Sequence, residues 1–393
     1  MGVPMETAAV ICEYNPFHNG HAMQFSRIRE ELGQDAAIVC LMSGCFVQRG
    51  EPAVMEPMIR AEAALRCGAD LILENPVTNV LRSAEQYALG SVKILDALGG
   101  IGWLSFGSES GSAESLMAIA GLLRSEAFSE ALRPQLDLGL SFPAARQRAV
   151  DALGQDSSLL EKPNSILGVE YCKALLETGS PIRPLVHIRP GDYHDPVLRA
   201  EAPSATAVRN SMLSGDFFDP FVPESAAQDY HEANLHAWVY GERAVLGILR
   251  TMERDSFQAI AHGGEGLWSR FARISWESPD IESLLSRVKA KRYTRTRVQR
   301  LLTCAFLQIT EDMLKQDTPY VRILGFSERG QELLHQMKMQ SRIPLVNAGA
   351  VPSDRAYLKL EERCADLYEL CGKQEPEYGT LRRWRLQKTG QNA

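Results

Sequence analysis

Residues 8–21 read AAVICEYNPFHNGH: an apolar run, a polar turn and a histidine pair. Ala8 to Cys12 is apolar throughout, the pattern of a strand buried on both faces. After the turn, Ala22, Phe25, Ile28 and Leu32 recur at helical spacing, so the stretch predicts a strand, a loop and a helix that opens at the histidines.

Outward from this unit the alternation continues. Ala36 to Met42 is a second strand-like run ending at Ser43-Gly44, and a helix follows from Ile59 to Cys67. DLILEN at 70–75 is a third strand, Ser83 to Leu98 a helix stopped by Gly99-Gly100, and WLSFG at 103–107 a fourth strand. Apolar strands between helices belong to a parallel sheet covered on both sides. The expected fold class is α/β. A doubly wound, parallel-sheet Rossmann-like domain spans 1–230, and a mostly α-helical domain spans 231–393, where strand-like runs largely stop. In such sheets ligands lie beyond the carboxyl ends of the strands. EYNPFHNGH, in the loop after the first strand, is therefore a site candidate by location.

Composition narrows the possibilities. The chain has 393 residues, 45% hydrophobic and 23% charged, with a net charge of −7 and a pI near 5.7. That length suits two domains, and that charge excludes a protein that coats nucleic acid non-specifically, so any RNA site is a local patch. The eight cysteines are scattered without a C-x-x-C pair and read as reduced, buried thiols of a cytoplasmic protein. No run of 18 apolar residues occurs, and membrane spanning is not expected.

His18 and His21 stand three apart, so both rings face one ligand at a helix N-terminus. Free N–H groups and the positive end of the dipole favour phosphate there. Gly20 leaves room for a nucleotide against the backbone, while Asn15 and Pro16 suit the tight turn. Imidazoles donating to phosphoryl oxygens stabilise charge on a departing pyrophosphate. The chemistry this suggests is nucleotidyl transfer; a satisfied histidine pair or a metal corner is the alternative. SATAVR at 204–209 adds Ser204, Thr206 and Arg209 at a helix start, where hydroxyls and a guanidinium hold phosphate oxygens, or where a serine merely caps the helix. A metal-hydrolase reading of His18, His21, His187, His194 and Asp195 lacks a paired acidic ligand near His21.

NPFHNGH with SATAVR resembles the signature pair of the HxGH nucleotidyltransferase superfamily. EYNPFHNGH, MSGCFVQRGEPAV, SFGSE, NSILGVEYCKAL, DYHD, SATAVRNSM, KAKRYTRTRVQRLL and RILGFSERGQELL stand in the order seen in the tRNA(Met) cytidine acetate ligase family. The resemblance runs from about residue 8 to 350 and implies a HUP-like nucleotidyltransferase domain. It also implies an enzyme that activates acetate with ATP to acetyl-adenylate and acetylates N4 of the wobble cytidine of elongator tRNA(Met). By that similarity His18 and His21 are catalytic. The ATP contacts are Ile11, Cys12, Glu13, Tyr14, Asn15, Pro16, Phe17, His18, Asn19, Gly20, His21, Gly107, Asn164 and Arg189, joined by Ser204, Thr206 and Arg209. Mg²⁺ would accompany the phosphates. Cys45 stands where the family pattern has Asn, and VMEPMIRAEAAL lacks its Asp-Lys.

Arg287, Lys289, Lys291, Arg292, Arg295, Arg297 and Arg300 are seven basic residues within 287–300, a span without an acid. With Tyr293 interleaved, the span reads as a patch that tracks an RNA backbone and stacks a base. Arg49, in the loop after the second strand, is a further candidate for RNA or ATP phosphate. LRRWRLQK at 381–388 either extends the patch or covers a hydrophobic edge. Two competing functions remain at this level: a small-molecule nucleotidyltransferase, which leaves the basic span unexplained, and a non-catalytic ATP- or RNA-binding scaffold.

Overall fold

The computed structural model describes residues 5–188 and 204–389. The strands are β1 (Thr7–Cys12), β2 (Ala37–Ser43), the short hairpin β3 (Phe46–Val47) and β4 (Glu51–Pro52), β5 (Leu71–Asn75), β6 (Trp103–Ser108), β7 (Arg183–Ile188), β8 (Val321–Ser327), β9 (Leu345–Asn347) and β10 (Gln387–Thr389). The main sheet runs β10-β8-β5-β2-β1-β6-β7, with β9 beside β10 on the outer edge of β8. The five strands from β5 to β7 are parallel, and β8 adds to β5 in the antiparallel sense.

Period-two alternation divides the buried strand residues between two cores. Ala8, Val10, Cys12, Ile38, Cys40, Met42 and Ile72 face one side; Ala9, Ala37, Val39, Leu41, Leu71 and Leu73 face the other. The first face is covered by helices α1 (Asn19–Leu32) and α2 (Pro57–Arg66). Phe25 and Ile28 of α1 are fully buried there, each worth about 1.5–3 kcal/mol in removed apolar surface. The second face is covered by helices Ala84–Leu98, Pro163–Thr178 and Glu328–Gln340.

The residues beyond 230 are mostly helical, as expected, but the alternation ends there and the sheet does not. β8, β9 and β10 all return to it. Val245, Leu249, Phe271, Leu301 and Phe306 also belong to the core under α1 and α2. Residue 230 therefore marks a change of local pattern and no gap in packing.

β1 is where the strand order reverses, between β2 and β6. Its ladder with β2 covers six pairs, whereas its ladder with β6 stops after Ala8–Trp103 and Ala9–Leu104. Beyond that point the two strands part, and a crevice opens at their carboxyl ends, as expected at a topological switch point.

Candidate active site

That crevice is a cleft of about 620 Å³, within the ordinary range for a bound small molecule. Ile11 and Cys12 at the end of β1 line it, as do Ser105, Phe106 and Gly107 of β6. α1 rises from its floor. The Gln24 side chain donates to the carbonyl and hydroxyl of Ser105 at 3.4 and 3.1 Å, which ties α1 across the parting strands.

The spacing of the histidines has a structural cause. His18 is the N-cap of α1 and His21 its third residue, and together they form a capping box. The Gly20 N–H donates to His18 Nδ1 at 3.1 Å and the His18 N–H to His21 Nδ1 at 3.2 Å. Their rings stack at 3.8 Å. Because each Nδ1 accepts, each neutral ring carries its proton on Nε2. A neutral pair thus offers two Nε2–H donors at the cleft. Both histidines and Gly20 line it.

The loop before α1 is held from three directions. Tyr14 adopts φ 45° and the Asn15–Pro16 peptide is cis; the Tyr14 hydroxyl meets Cys40 Sγ at 3.2 Å. Asn15 Oδ1 accepts from the Val54 N–H at 2.7 Å. Arg209 Nη1 donates to the Asn15 carbonyl at 2.6 Å, so the two signatures, 194 residues apart in sequence, meet through one hydrogen bond. Ser204 caps helix Ala205–Ser214 by accepting from the Ala207 N–H at 3.0 Å, and Thr206 lies 3.5 Å from Arg209 Nη2. All three line the cleft.

On the β6 side, Asn164 Nδ2 donates to Glu109 Oε1 at 2.7 Å. This fixes the amide and leaves its carbonyl oxygen to accept from a ligand such as an exocyclic amine. Glu109 also receives the Ser165 N–H at 2.8 Å. The carboxylate of Glu13 accepts from the Gln48 N–H at 2.9 Å. Burial raises its pKa above the ordinary carboxylate value, against the pull of that N–H, Arg49 and Arg209.

Not every expected contact reaches the cleft. Ile11, Cys12, Glu13, Tyr14, Asn15, His18, Gly20, His21, Gly107, Asn164, Ser204, Thr206 and Arg209 line it, while Pro16, Phe17 and Asn19 are set back from it. Phe17 is fully buried in the core, and Asn19 Nδ2 donates to the Pro220 carbonyl. Arg189 and the DYHD segment lie outside the described residues.

Sequence reasoning missed several groups. Tyr87, Tyr171 and Arg27 line the cleft, and so does His187, which the sequence offered only as a metal ligand. Behind it, Arg60 of α2 is fully buried. Its guanidinium donates to the carbonyls of Glu13 at 2.6 Å, Ser43 at 3.0 Å, Met55 at 2.9 Å and Gly44, binding the loops that follow β1 and β2. No periodicity marks it, since an arginine on a helix reads as a solvent-facing charge.

The basic span looks different in space. Arg287 pairs with Glu277, Arg292 and Arg297 with Glu265, and Arg295 with Glu282. Tyr293 donates to the Glu265 carbonyl at 2.8 Å, with the Arg292 and Arg297 guanidinium groups 5.8 and 5.5 Å from its ring centre. Lys289 and Lys291 are exposed and have no ion pair among the described residues. Arg49 and Arg300 line the cleft, Arg300 being buried there and not on the outer patch. At the C-terminus Trp384 is buried and Arg382 and Arg383 pair with Glu362 and Glu377, so LRRWRLQK covers a hydrophobic edge.

Comparison with known proteins gives the family. Residues 5–381 match the family model described as HIGH Nucleotidyl Transferase. A tRNA(Met) cytidine acetate ligase from Kosmotoga olearia is 36% identical over 368 residues, 87% of this chain and 85% of that protein. One from Acetivibrio thermocellus is 35% identical over 398 residues, 94% of this chain and 96% of that protein. The crystal structure of apo Thermotoga maritima TmcAL superposes with a TM-score of 0.88 at 30% identity, covering 98% of this chain and 100% of that one. The same protein bound to alpha-thio ATP gives 0.87. By family model, by relatives alike over nearly their whole length and by fold, the chain belongs to the tRNA(Met) cytidine acetate ligase family of HIGH nucleotidyl transferases.

Proposed function

We propose that the chain is an ATP-dependent ligase that joins acetate to N4 of the wobble cytidine of elongator tRNA(Met). The observation that carries the reading is the convergence of the His18–His21 pair, Arg209 and Asn164 on one cleft at the switch point of the sheet. It is supported by the ATP analogue bound to the Thermotoga maritima structure and by the names of the relatives.

In the first step a carboxylate oxygen of acetate forms a bond to the α-phosphorus of ATP. The bond from that phosphorus to the bridging oxygen breaks, and pyrophosphate leaves with the electron pair. The Nε2–H groups of His18 and His21 and the Arg209 guanidinium neutralise charge as it builds on the leaving group. Glu13 and Glu51 are carboxylates lining the cleft that would hold a Mg²⁺ ion, which would supply further charge neutralisation and commonly takes one or two carboxylates plus substrate oxygens. In the second step the cytidine amine attacks the acetyl carbonyl, AMP departs, and the amine gives up a proton. The chain positions reactants and forms no covalent intermediate. Acetate-dependent formation of AMP and pyrophosphate from ATP by the purified protein in the presence of tRNA is the expected activity. Turnover of ATP indifferent to acetate contradicts it.

One observation favours a second reading, nucleotidyl transfer to a small molecule: four of the five arginines of the basic span, all but Arg300, are compensated by Glu265, Glu277 and Glu282. Lys289 and Lys291 discriminate. Exposed ion pairs are weak and exchange readily for phosphate, and two lysines on an RNA backbone contribute about two to the slope of log affinity against log salt. Lys289→Ala/Lys291→Ala is expected to weaken tRNA binding and lower that slope by about two, with acetate-dependent pyrophosphate release in the absence of tRNA retained. An unchanged salt dependence contradicts RNA docking at this span.

A further inference from the structure

Helix Arg295–Leu307 carries one arginine that the ion pairs leave out. Arg300 is 9% exposed, and its Nε has no hydrogen-bond partner among the described residues. Burial, helped by the neighbouring Arg297, brings its pKa down to about 10. A buried cation without an anion is costly, and at the wall of a cleft it makes a waiting site for one.

The position of Arg300 is fixed by the β3–β4 hairpin. Gly50 has φ +80°, and a Cβ there would lie 2.6 Å from the Arg300 nitrogen, so only glycine fits. Thr303 Oγ1 donates to the Gly50 carbonyl at 2.7 Å and Gln299 Nε2 to Glu51 Oε1 at 2.7 Å. Thr296, one turn before Arg300 and on the same helix face, lines the cleft as well.

The cleft thus has two walls of distinct origin. α1 and helix Ala205–Ser214, joined through Arg209 and Asn15, offer the groups suited to the nucleotide's phosphates. The hairpin and helix Arg295–Leu307 form the other, and that helix begins directly after the exposed Lys289 and Lys291. In-line displacement puts the attacking carboxylate on the side of the α-phosphorus away from the departing pyrophosphate. The acyl group must then lie between nucleotide and incoming acceptor, which places it toward this second wall.

We propose that Arg300, with Thr296 one turn before it on the same helix, holds the carboxylate of the acyl substrate, a short-chain carboxylic acid that is acetate on the function proposed above, on which this assignment rests. Once the adenylate forms, the same guanidinium faces the acyl carbonyl oxygen, where negative charge grows as the amine attacks.

The test is carboxylate-dependent exchange of pyrophosphate into ATP by wild type, Arg300→Gln, Arg300→Lys and Thr296→Val, with acetate and ATP varied separately. Losing a charge-assisted hydrogen bond raises the KM for acetate in Arg300→Gln on the order of 10- to 100-fold, with the KM for ATP little changed. Arg300→Lys falls between, and Thr296→Val shows a smaller rise. An equal rise in the KM for ATP assigns Arg300 to phosphate and overturns the proposal, as does no change in either. If Arg300→Gln does not fold, Arg300→Lys and Thr296→Val decide by the same split. Wild type without acetate-dependent exchange contradicts the function instead. The anion site is then judged by Tm: a rise in sodium acetate over sodium chloride at equal ionic strength, lost in Arg300→Lys, supports it, and no rise overturns it.

Discussion

His21→Ala lowers acetate-dependent pyrophosphate release by a factor on the order of 10²–10³, the usual cost of removing one donor aimed at developing charge. The substitution removes two things at once. It deletes an Nε2–H donor from the cleft, and it deletes the Nδ1 acceptor of the His18 N–H, whose capping role is worth about 1 kcal/mol of stability. His21→Gln separates them. Glutamine at the third helical position completes a capping box but cannot present an imidazole N–H at the same place, so it recovers stability and leaves the rate low. Recovery of the rate by His21→Gln, or an unchanged rate in His21→Ala, would show that the histidine serves the helix and not the leaving group.

Arg60→Met destabilises the fold by about 3 kcal/mol, measured as a shift in the denaturant midpoint at constant slope. Methionine fills comparable space but leaves four buried carbonyls, those of Glu13, Ser43, Gly44 and Met55, without their donor. Nucleotide affinity falls with it, because the Glu13 carbonyl is where the guanidinium holds the loop that shapes the cleft. A cost below about 1 kcal/mol would mean that water replaces the arginine at these carbonyls.

The central sheet was legible because its strands are buried on both faces and therefore apolar without interruption, as in Ala37–Ser43. β8 was not. It carries Arg322, buried in the sheet between Glu361 at 2.5 Å and Glu74 at 3.8 Å. A charge neutralised by distant carboxylates breaks the apolar run that marks a strand. Its partner β5 also lies about 250 residues earlier, beyond any local window: Leu71 pairs with Phe326. The same limit explains the basic span, whose compensating glutamates come from 265, 277 and 282. Absence of acids within 287–300 is a statement about sequence, whereas charge compensation is a statement about space. The histidine pair was legible because Nδ1 capping and Nε2 donation both depend on the three-residue spacing, which the sequence displays. The partnership of Arg209 with Asn15 needed the fold.

If the cleft makes acetyl-adenylate for transfer to RNA, mass analysis of nucleosides from bacterial tRNA incubated with the purified protein reads the product directly. N4-acetylcytidine that appears only when ATP, acetate, tRNA and protein are all present, with AMP formed alongside, is the expected result. Acetate-dependent AMP without any acetylated nucleoside, or nucleotide binding without AMP, would contradict it.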